Sequence, residues 1–364
     1  MRGSKFSSKD IADSNSFFIK RHHFFLAFSL FLIFIVFFGG FGHFNSLLKD
    51  SPVNICGDGT VYNECSKTMP YFCLEGKLID LALECGCPDN FVAKGEFCYS
   101  SYDATPKNIA LNYTLRGEQL SLDFEVYEGF IEYVSKISPS ITNSSEKNLS
   151  RADFKLKILN EAEQRKMILP LVIEIQNLTS VENDQMRIAV SLVQNIPFGY
   201  SNKTSSFGAY QINYSRYPYE VLYDMQGICG EKTNLLALLL REMGYGLSIF
   251  YYPSYNHEAL GISCPKGESV LDSGYCFVET TGPSIVTDDK IRYLNIGKLL
   301  SEPEIYPLGE GKSLEKNLYE YSDANTLIKI RDSIEKYGVI SSFKKKTFDV
   351  LKKKYGLADE YYDR

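Results

Sequence analysis

The sequence predicts an α+β fold in which a helix opening on a cysteine faces a sheet bearing a histidine and an acid. One transmembrane helix and a small disulfide-rich module are expected ahead of it. Three observations carry this reading. An apolar run over 24–44 follows a basic N-terminus. Six of the nine cysteines crowd between Cys56 and Cys98. Further on, Gly227-Ile228-Cys229-Gly230-Glu231-Lys232 makes a Gly-rich bend with the apolar run 235–240 behind it, and strand-like segments follow. The expected organisation is a cytoplasmic basic tail over 1–23, an anchor over 24–44, a Cys-rich module over 50–100, a globular domain over 102–323 and a basic helical segment over 324–364.

The tail carries Arg2, Lys5, Lys9, Lys20 and Arg21 against Asp10 and Asp13. About 21 residues at about 1.5 Å each span the ~30 Å of bilayer hydrocarbon. The basic flank comes first, so the positive-inside rule leaves the N-terminus in the cytoplasm and the rest outside. The apolar run is long for a signal peptide and no Ala-x-Ala-like site follows it, which favours an uncleaved single-pass anchor in the cell membrane. Asn-x-Ser/Thr sequons at Asn112, Asn143, Asn148, Asn177, Asn202 and Asn213 all lie on the exported side. Hydrophobic content of 44% is enough for a core. A net charge of -6 argues against nucleic acid as a partner.

In the module, Cys56, Cys65, Cys73, Cys85, Cys87 and Cys98 are read as disulfides, since so few residues bury little apolar surface. A zinc site is disfavoured: the module has no Cys-x-x-Cys pair and no histidine. Beyond it, 112–115 and 120–127 alternate across Arg116-Gly-Glu-Gln as a hairpin. Residues 129–137 fit a strand or a short helix. Helical spacing over 153–169 breaks at Pro170 and resumes over 171–178, and another helix opens at Asn183 and stops near Pro197. Residues 200–219 read as loop, and 219–225 as a helical turn. The Cys229 helix closes at Gly244. Strands follow over 246–252, 257–263 and 275–280. Residues 284–323 give weak signals, and 326–354 is helical with an interruption at Gly338. Its lysines, Lys344 to Lys346 and Lys352 to Lys354, read as a solvated face.

Cysteine arithmetic isolates one thiol. Cys264 and Cys276 flank one loop and form a fourth candidate disulfide, which leaves Cys229 alone. A helix N-terminus carries partial positive charge and unpaired N–H groups, which favour a thiolate there. Acyl transfer through a thiolate needs a base within hydrogen-bond reach and a group to orient it. His257 is the only histidine after residue 43, and Glu279 ends the next strand. The expected catalytic residues are therefore Cys229, His257 and Glu279, with Asp272 a weaker third member. The Cys229 N–H and the Gln194 side chain are expected oxyanion donors. Side-chain alternation puts Cys264 and Cys276 on the face away from His257 and Glu279. Were Cys264 directly opposite Cys276, Glu279 would face Gly261, so the disulfide is expected to close the loop beyond the paired strands. The scheme needs no cofactor, and Cys229 and His257 alone are too few ligands for a metal.

Gly227-Ile228-Cys229, Asn256-His257-Glu258-Ala259 and Glu279-Thr280-Thr281 resemble the three motifs of the transglutaminase-like superfamily, over roughly residues 183–285. Within it the arrangement is most similar to predicted membrane-anchored archaeal transglutaminase-like proteins. The resemblance implies a papain-like core, a Cys-bearing helix packed on an antiparallel sheet, with Cys229 as nucleophile, His257 as base and Glu279 as acid. Two positions depart from the pattern: the usual acid is Asp, and the usual aromatic after His-Ala is missing. Cys56-Gly-Asp-Gly-Thr and Cys85-Gly-Cys-Pro resemble a Cys-rich module of predicted secreted archaeal proteins, which implies a stalk or adhesion-like spacer. The expected function is a membrane-anchored extracytoplasmic cysteine hydrolase or acyltransferase acting on peptide or isopeptide amides of a protein or peptide substrate. The alternative is a catalytically inactive cell-surface adhesion or recognition module that keeps the fold.

Overall fold

The computed structural model describes residues 54–141, 149–201, 203–207, 210–212, 216–293 and 297–357. The expected tail and anchor lie outside the described residues. Among the described residues no helix is long and apolar enough to cross a membrane. The Cys-rich stretch forms two small hairpins, β1 (Tyr71–Leu74) with β2 (Lys77–Asp80) and β3 (Val92–Lys94) with β4 (Phe97–Tyr99), around the helical turn α1 (Ala82–Cys85). Disulfides Cys56–Cys73, Cys65–Cys85 and Cys87–Cys98 staple them, a connectivity that spacing alone left open.

β5 (Pro106–Leu115) and β6 (Glu118–Tyr127) form the expected hairpin. Its turn residues Arg116 and Gly117 both have positive φ, 53° and 88°, the primed geometry that matches strand twist. Residues 129–137 resolve as helix α2 (Glu128–Lys136). Ser150 and Asp153 make a capping box that opens α3 (Arg151–Leu159). The helical break expected at Pro170 falls instead at Asn160. α4 (Ala162–Leu178) runs through the proline. Pro170 removes one N–H donor, but Met167, Ile168, Leu171, Val172 and Ile175 are buried on both sides of it, so packing holds the helix together. α5 (Glu182–Asn195) follows.

The Cys-rich module is docked, not free. Ile173 of α4 is buried among Cys56, Tyr71, Cys73 and Leu78. Asn177 Oδ1 accepts from the Leu78 N–H at 2.9 Å, and its Nδ2 donates to the Leu78 carbonyl at 3.0 Å. The sequon at Asn177 thus has its amide committed to the module. A Cβ on Gly57 would lie 2.1 Å from the Gln176 carbonyl oxygen, so this close approach requires glycine.

Residues expected as loop contain a short hairpin, β7 (Ser205–Phe207) with β8 (Tyr210–Ile212), and the expected helical turn is α6 (Pro218–Asp224). α7 (Cys229–Glu242) then starts on the cysteine and ends before Gly244, whose φ is +87°. Behind it lies a four-stranded antiparallel sheet of β9 (Leu247–Tyr252), β10 (His257–Ser263), β11 (Tyr275–Val278) and a later strand. After the two-residue strands β12 (Arg292–Tyr293) and β13 (Gly297–Lys298), β14 (Glu304–Gly309) completes it, giving the order β11-β10-β9-β14. β14 came from the weakly patterned stretch. It carries Pro307 and shifts register beside it, as an edge strand tolerates. α8 (Tyr319–Tyr337) and α9 (Ser342–Tyr355) close the described chain on either side of Gly338.

Alternation divides the sheet. Leu247, Ile249, Leu260, Ile262, Cys276 and Val278 join the main core with Leu235 to Leu240 of α7. Phe250, Tyr252, Ala259 and Phe277 form a smaller apolar cluster on the other face, with Ile291. The architecture is α+β with antiparallel sheets. The nucleophile helix lies against one face, and His257 and Glu279 have the parity of the other.

Candidate active site

The bend before α7 is held by charge. Met225 takes a left-handed conformation (φ 51°), and Gly227 bridges Phe198. The Gly227 N–H donates to the Pro197 carbonyl at 3.2 Å, and the Gly199 N–H to the Gly227 carbonyl at 3.3 Å. Glu231, fully buried, accepts from the Ile228 N–H, the Arg216 N–H and Arg216 Nη1, each at 3.1 Å. An acid in the first turn also suits the helix dipole. Lys232 turns the other way: its Nζ donates to the carbonyls of Gln194 (3.3 Å) and Ile196 (2.5 Å), tying α7 to the end of α5. Burial pushes this lysine down to about 8, against the pull of Glu279 and Cys229.

Cys229 is the one cysteine outside the four disulfides, and it is partly exposed. His257 follows the left-handed Asn256 (φ 45°) at the first position of β10, and only 6% of it is exposed. Its Nε2 lies 3.0 Å from Glu279 Oε2. The Cys229 thiol lies close enough to the imidazole to help raise it. Glu279 is buried and fully engaged. Oε1 accepts from the N–H groups of Thr280 (2.9 Å) and Thr281 (2.8 Å) and from the Thr281 hydroxyl (2.6 Å). Oε2 accepts from His257 and from the Tyr293 hydroxyl. The Tyr293 ring stands edge-on to the imidazole, centroids 4.7 Å apart.

The electrostatics of the pair follow. Burial alone would depress His257, but the Glu279 carboxylate, its hydrogen bond to the ring and the nearby Cys229 outweigh it, and the imidazole is raised. Burial opposes charge on Glu279, yet His257 and the hydroxyls of Thr281 and Tyr293 hold its carboxyl below the usual range. The arrangement favours an imidazolium–carboxylate pair beside the thiol.

Register explains how Glu279 reaches His257. Leu260 lies opposite Val278 and Ile262 opposite Cys276. One further step puts Glu279 opposite Ala259, diagonal to His257 on the same face. Cys264 lies one residue past β10, so its disulfide with Cys276 runs diagonally and not between directly paired residues. Asp272 stays in the turn Val270–Asp272, and Glu279 is the acid on His257.

Gln194 requires a correction. It was expected to donate to an oxyanion, but its Nε2 donates to the Glu279 carbonyl (2.9 Å) and to Ser284 Oγ (3.0 Å), and its Oε1 accepts from the Ser284 N–H (3.3 Å). Buried among these partners, it braces the strand end that carries the acid. The Cys229 N–H remains in the first helical turn, where an intrahelical acceptor is lacking.

Sequence reasoning missed Lys155, Glu258, Glu231 and Tyr293. Lys155 had a readable signal, a charge on the apolar side of a helix between Phe154 and Ile158. Glu231 had one in its place three residues after the N-cap Ile228. Tyr293 had none. Comparison with family models, with curated proteins and with solved structures yields no match.

Proposed function

We propose that this chain is a membrane-anchored extracytoplasmic cysteine hydrolase or acyltransferase of transglutaminase-like type, acting on peptide or isopeptide amides. The observation that carries the reading is the hydrogen-bonded pair His257–Glu279 beside Cys229, the one cysteine left out of the disulfides. In the proposed reaction the Cys229 sulfur attacks the amide carbonyl carbon. Charge develops on the carbonyl oxygen near the helix N-terminus, where the Cys229 N–H can donate to it. His257 then gives its proton to the departing amine as the C–N bond breaks, leaving a thioester. Water or a second amine attacks that thioester, His257 removes its proton, and the C–S bond breaks to release the Cys229 thiolate and restore the imidazolium. Glu279 keeps the imidazole oriented and balances its charge. Phe198 and Tyr200 stand exposed, edge to face, on the segment bridged to Gly227. The inactive-module reading expects Cys229 out of reach of an imidazole, so the influence of the thiol on His257 counts against it.

Iodoacetamide treatment of the folded full-length protein near neutral pH, mapped by mass spectrometry, tests this. The label is expected on Cys229, faster than on free cysteine, with Cys229→Ala unlabelled and His257→Ala slowed by about tenfold or more. An unlabelled Cys229, or a rate indifferent to His257→Ala, would sink the enzymatic reading.

A further inference from the structure

A second group of buried charges lies behind the nucleophile and has no part in the reaction proposed above. Lys155 projects from α3 and is fully buried. Its Nζ donates to the Gly230 carbonyl at 3.2 Å and to Glu258 Oε2 at 2.6 Å. The other Glu258 oxygen accepts from Arg151, whose guanidinium lies 3.4 Å from the centroid of the Tyr251 ring. Gly230 is the residue after Cys229, and Glu258 is the residue after His257. One ammonium group therefore joins the backbone beside the nucleophile to the side chain beside the base.

We infer that Lys155 is a positioning residue: it sets the separation of Cys229 from His257 and places a cation beside the thiol. This rests on the hydrolase or acyltransferase reading of the same site. Strand alternation is what makes the brace possible. His257 points to the face of its partner acid, so Glu258 points to the opposite face, where α3 and α7 pack. The neighbouring strand repeats the device more weakly. The Thr280 hydroxyl, one residue past Glu279, donates to the Cys229 carbonyl at 3.4 Å and lies 3.1 Å from the Thr233 hydroxyl of α7. Residues adjacent to the base and to the acid thus hold the helix, while the base and acid themselves pair with each other.

Stability alone is a weak reason for the pair. A buried Lys–Glu pair is often no better than apolar residues of equal volume, because both charges lose their hydration. Its value lies in geometry, since the ammonium has several donors and can hold two acceptors at once. The charged groups around Cys229 are His257 from β10, Glu279 after β11, Lys232 from its own helix and Lys155 from α3, with Glu258 and Arg151 behind Lys155. Of these, Lys155 alone hydrogen-bonds both the first turn of α7 and the histidine strand among the described residues.

The experiment is the pH profile of Cys229 alkylation by iodoacetamide in the full-length protein, with thermal midpoints recorded in parallel. Wild type, Lys155→Met and the double variant Lys155→Met/Glu258→Gln are compared. The single variant leaves Glu258 with an apolar side chain in place of one of its two cations, Arg151 being the other, so its midpoint falls. Its acid limb of reactivity is expected to move up by about one pH unit, as loss of a nearby cation requires. The double variant also removes the half-paired Glu258 charge and regains midpoint, but its limb is expected to stay raised. A limb that coincides with wild type in the double variant overturns the proposal, whatever the single variant does. A wild-type Cys229 no more reactive than free cysteine overturns both this inference and the enzymatic reading. A reactive wild type with an unmoved limb overturns this inference only.

Discussion

Replacing Glu279 with alanine is expected to remove most of the reactivity of Cys229 and to cost about 3–5 kcal/mol of folding stability, as when one partner of a buried pair is deleted. The reason is the number of donors that converge on it. The N–H groups of Thr280 and Thr281, the Thr281 and Tyr293 hydroxyls and His257 Nε2 all lose their acceptor. Buried donors without acceptors are expensive, and an imidazole without its carboxylate is free to turn from the sulfur. Amide turnover, once a substrate is in hand, should fall on the order of 10³-fold or more, the scale for the orienting acid of such triads. Glu279→Gln is the milder control, because its amide keeps one acceptor but presents donors to His257 and Tyr293.

The same pair gives stability a pH signature. Glu279 is held below its ordinary 4.5, so its contribution is present above that value and is lost as pH falls toward the lowered one. His257 is raised from 6.5 to about 10, so its contribution is complete below 6.5 and is lost as pH rises through about 10. Both terms are complete together between 4.5 and 6.5. The stability difference between wild type and Glu279→Gln should be largest in that window and shrink toward pH 10, as read by urea unfolding at a series of pH values. A difference that stays flat from pH 5 to about 10 would contradict the assignment.

Glu231→Ala should give the second large effect, and a different one. Glu231 is the carboxylate partner of Arg216 Nη1 in the core beneath the nucleophile bend and the acceptor for the Ile228 N–H. Arg216 keeps Asp224, but that carboxylate is much more exposed than Glu231. Loss of Glu231 therefore leaves a buried guanidinium underpaired and the start of α7 uncapped. The expected cost is again about 3–5 kcal/mol, or on the order of 10 °C in thermal midpoint for a domain of this size. Here the bend itself loosens, so Cys229 should alkylate like an ordinary cysteine without dependence on His257. A midpoint within about 2 °C of wild type would show that the Arg216–Glu231 pair does not hold the bend.

How much of this was legible in the sequence depended on the range of the interaction. The hairpin around Arg116-Gly117 was readable because two local patterns, alternation and a turn, agree. The α7 boundaries were readable because Gly227 and Gly244 punctuate an apolar run. Pro170 misled because a local helix breaker was overruled by apolar burial on both sides. Gln194 misled because its place at a helix end suggested an available amide, while its actual partners, Glu279 and Ser284, lie 85 and 90 residues away. The Cys-rich module looked like a spacer because cysteine spacing is silent about what a module packs against. The contacts of Ile173, Asn177 and Gly57 decide that.

Sequence alone determined that a cysteine would open a helix with no disulfide partner left for it, and that strands would present His257 and Glu279 on one face. These follow from counting, capping and side-chain alternation, which act over a few residues. Only the tertiary structure decided the two-residue step in register that brings Glu279 diagonal to His257, the closure by Tyr293 and the Lys155 brace between Gly230 and Glu258. Alternation sets which face a side chain takes, but register and long-range partners are chosen by how whole elements pack, and a buried charge finds its partner only when the core has formed around both.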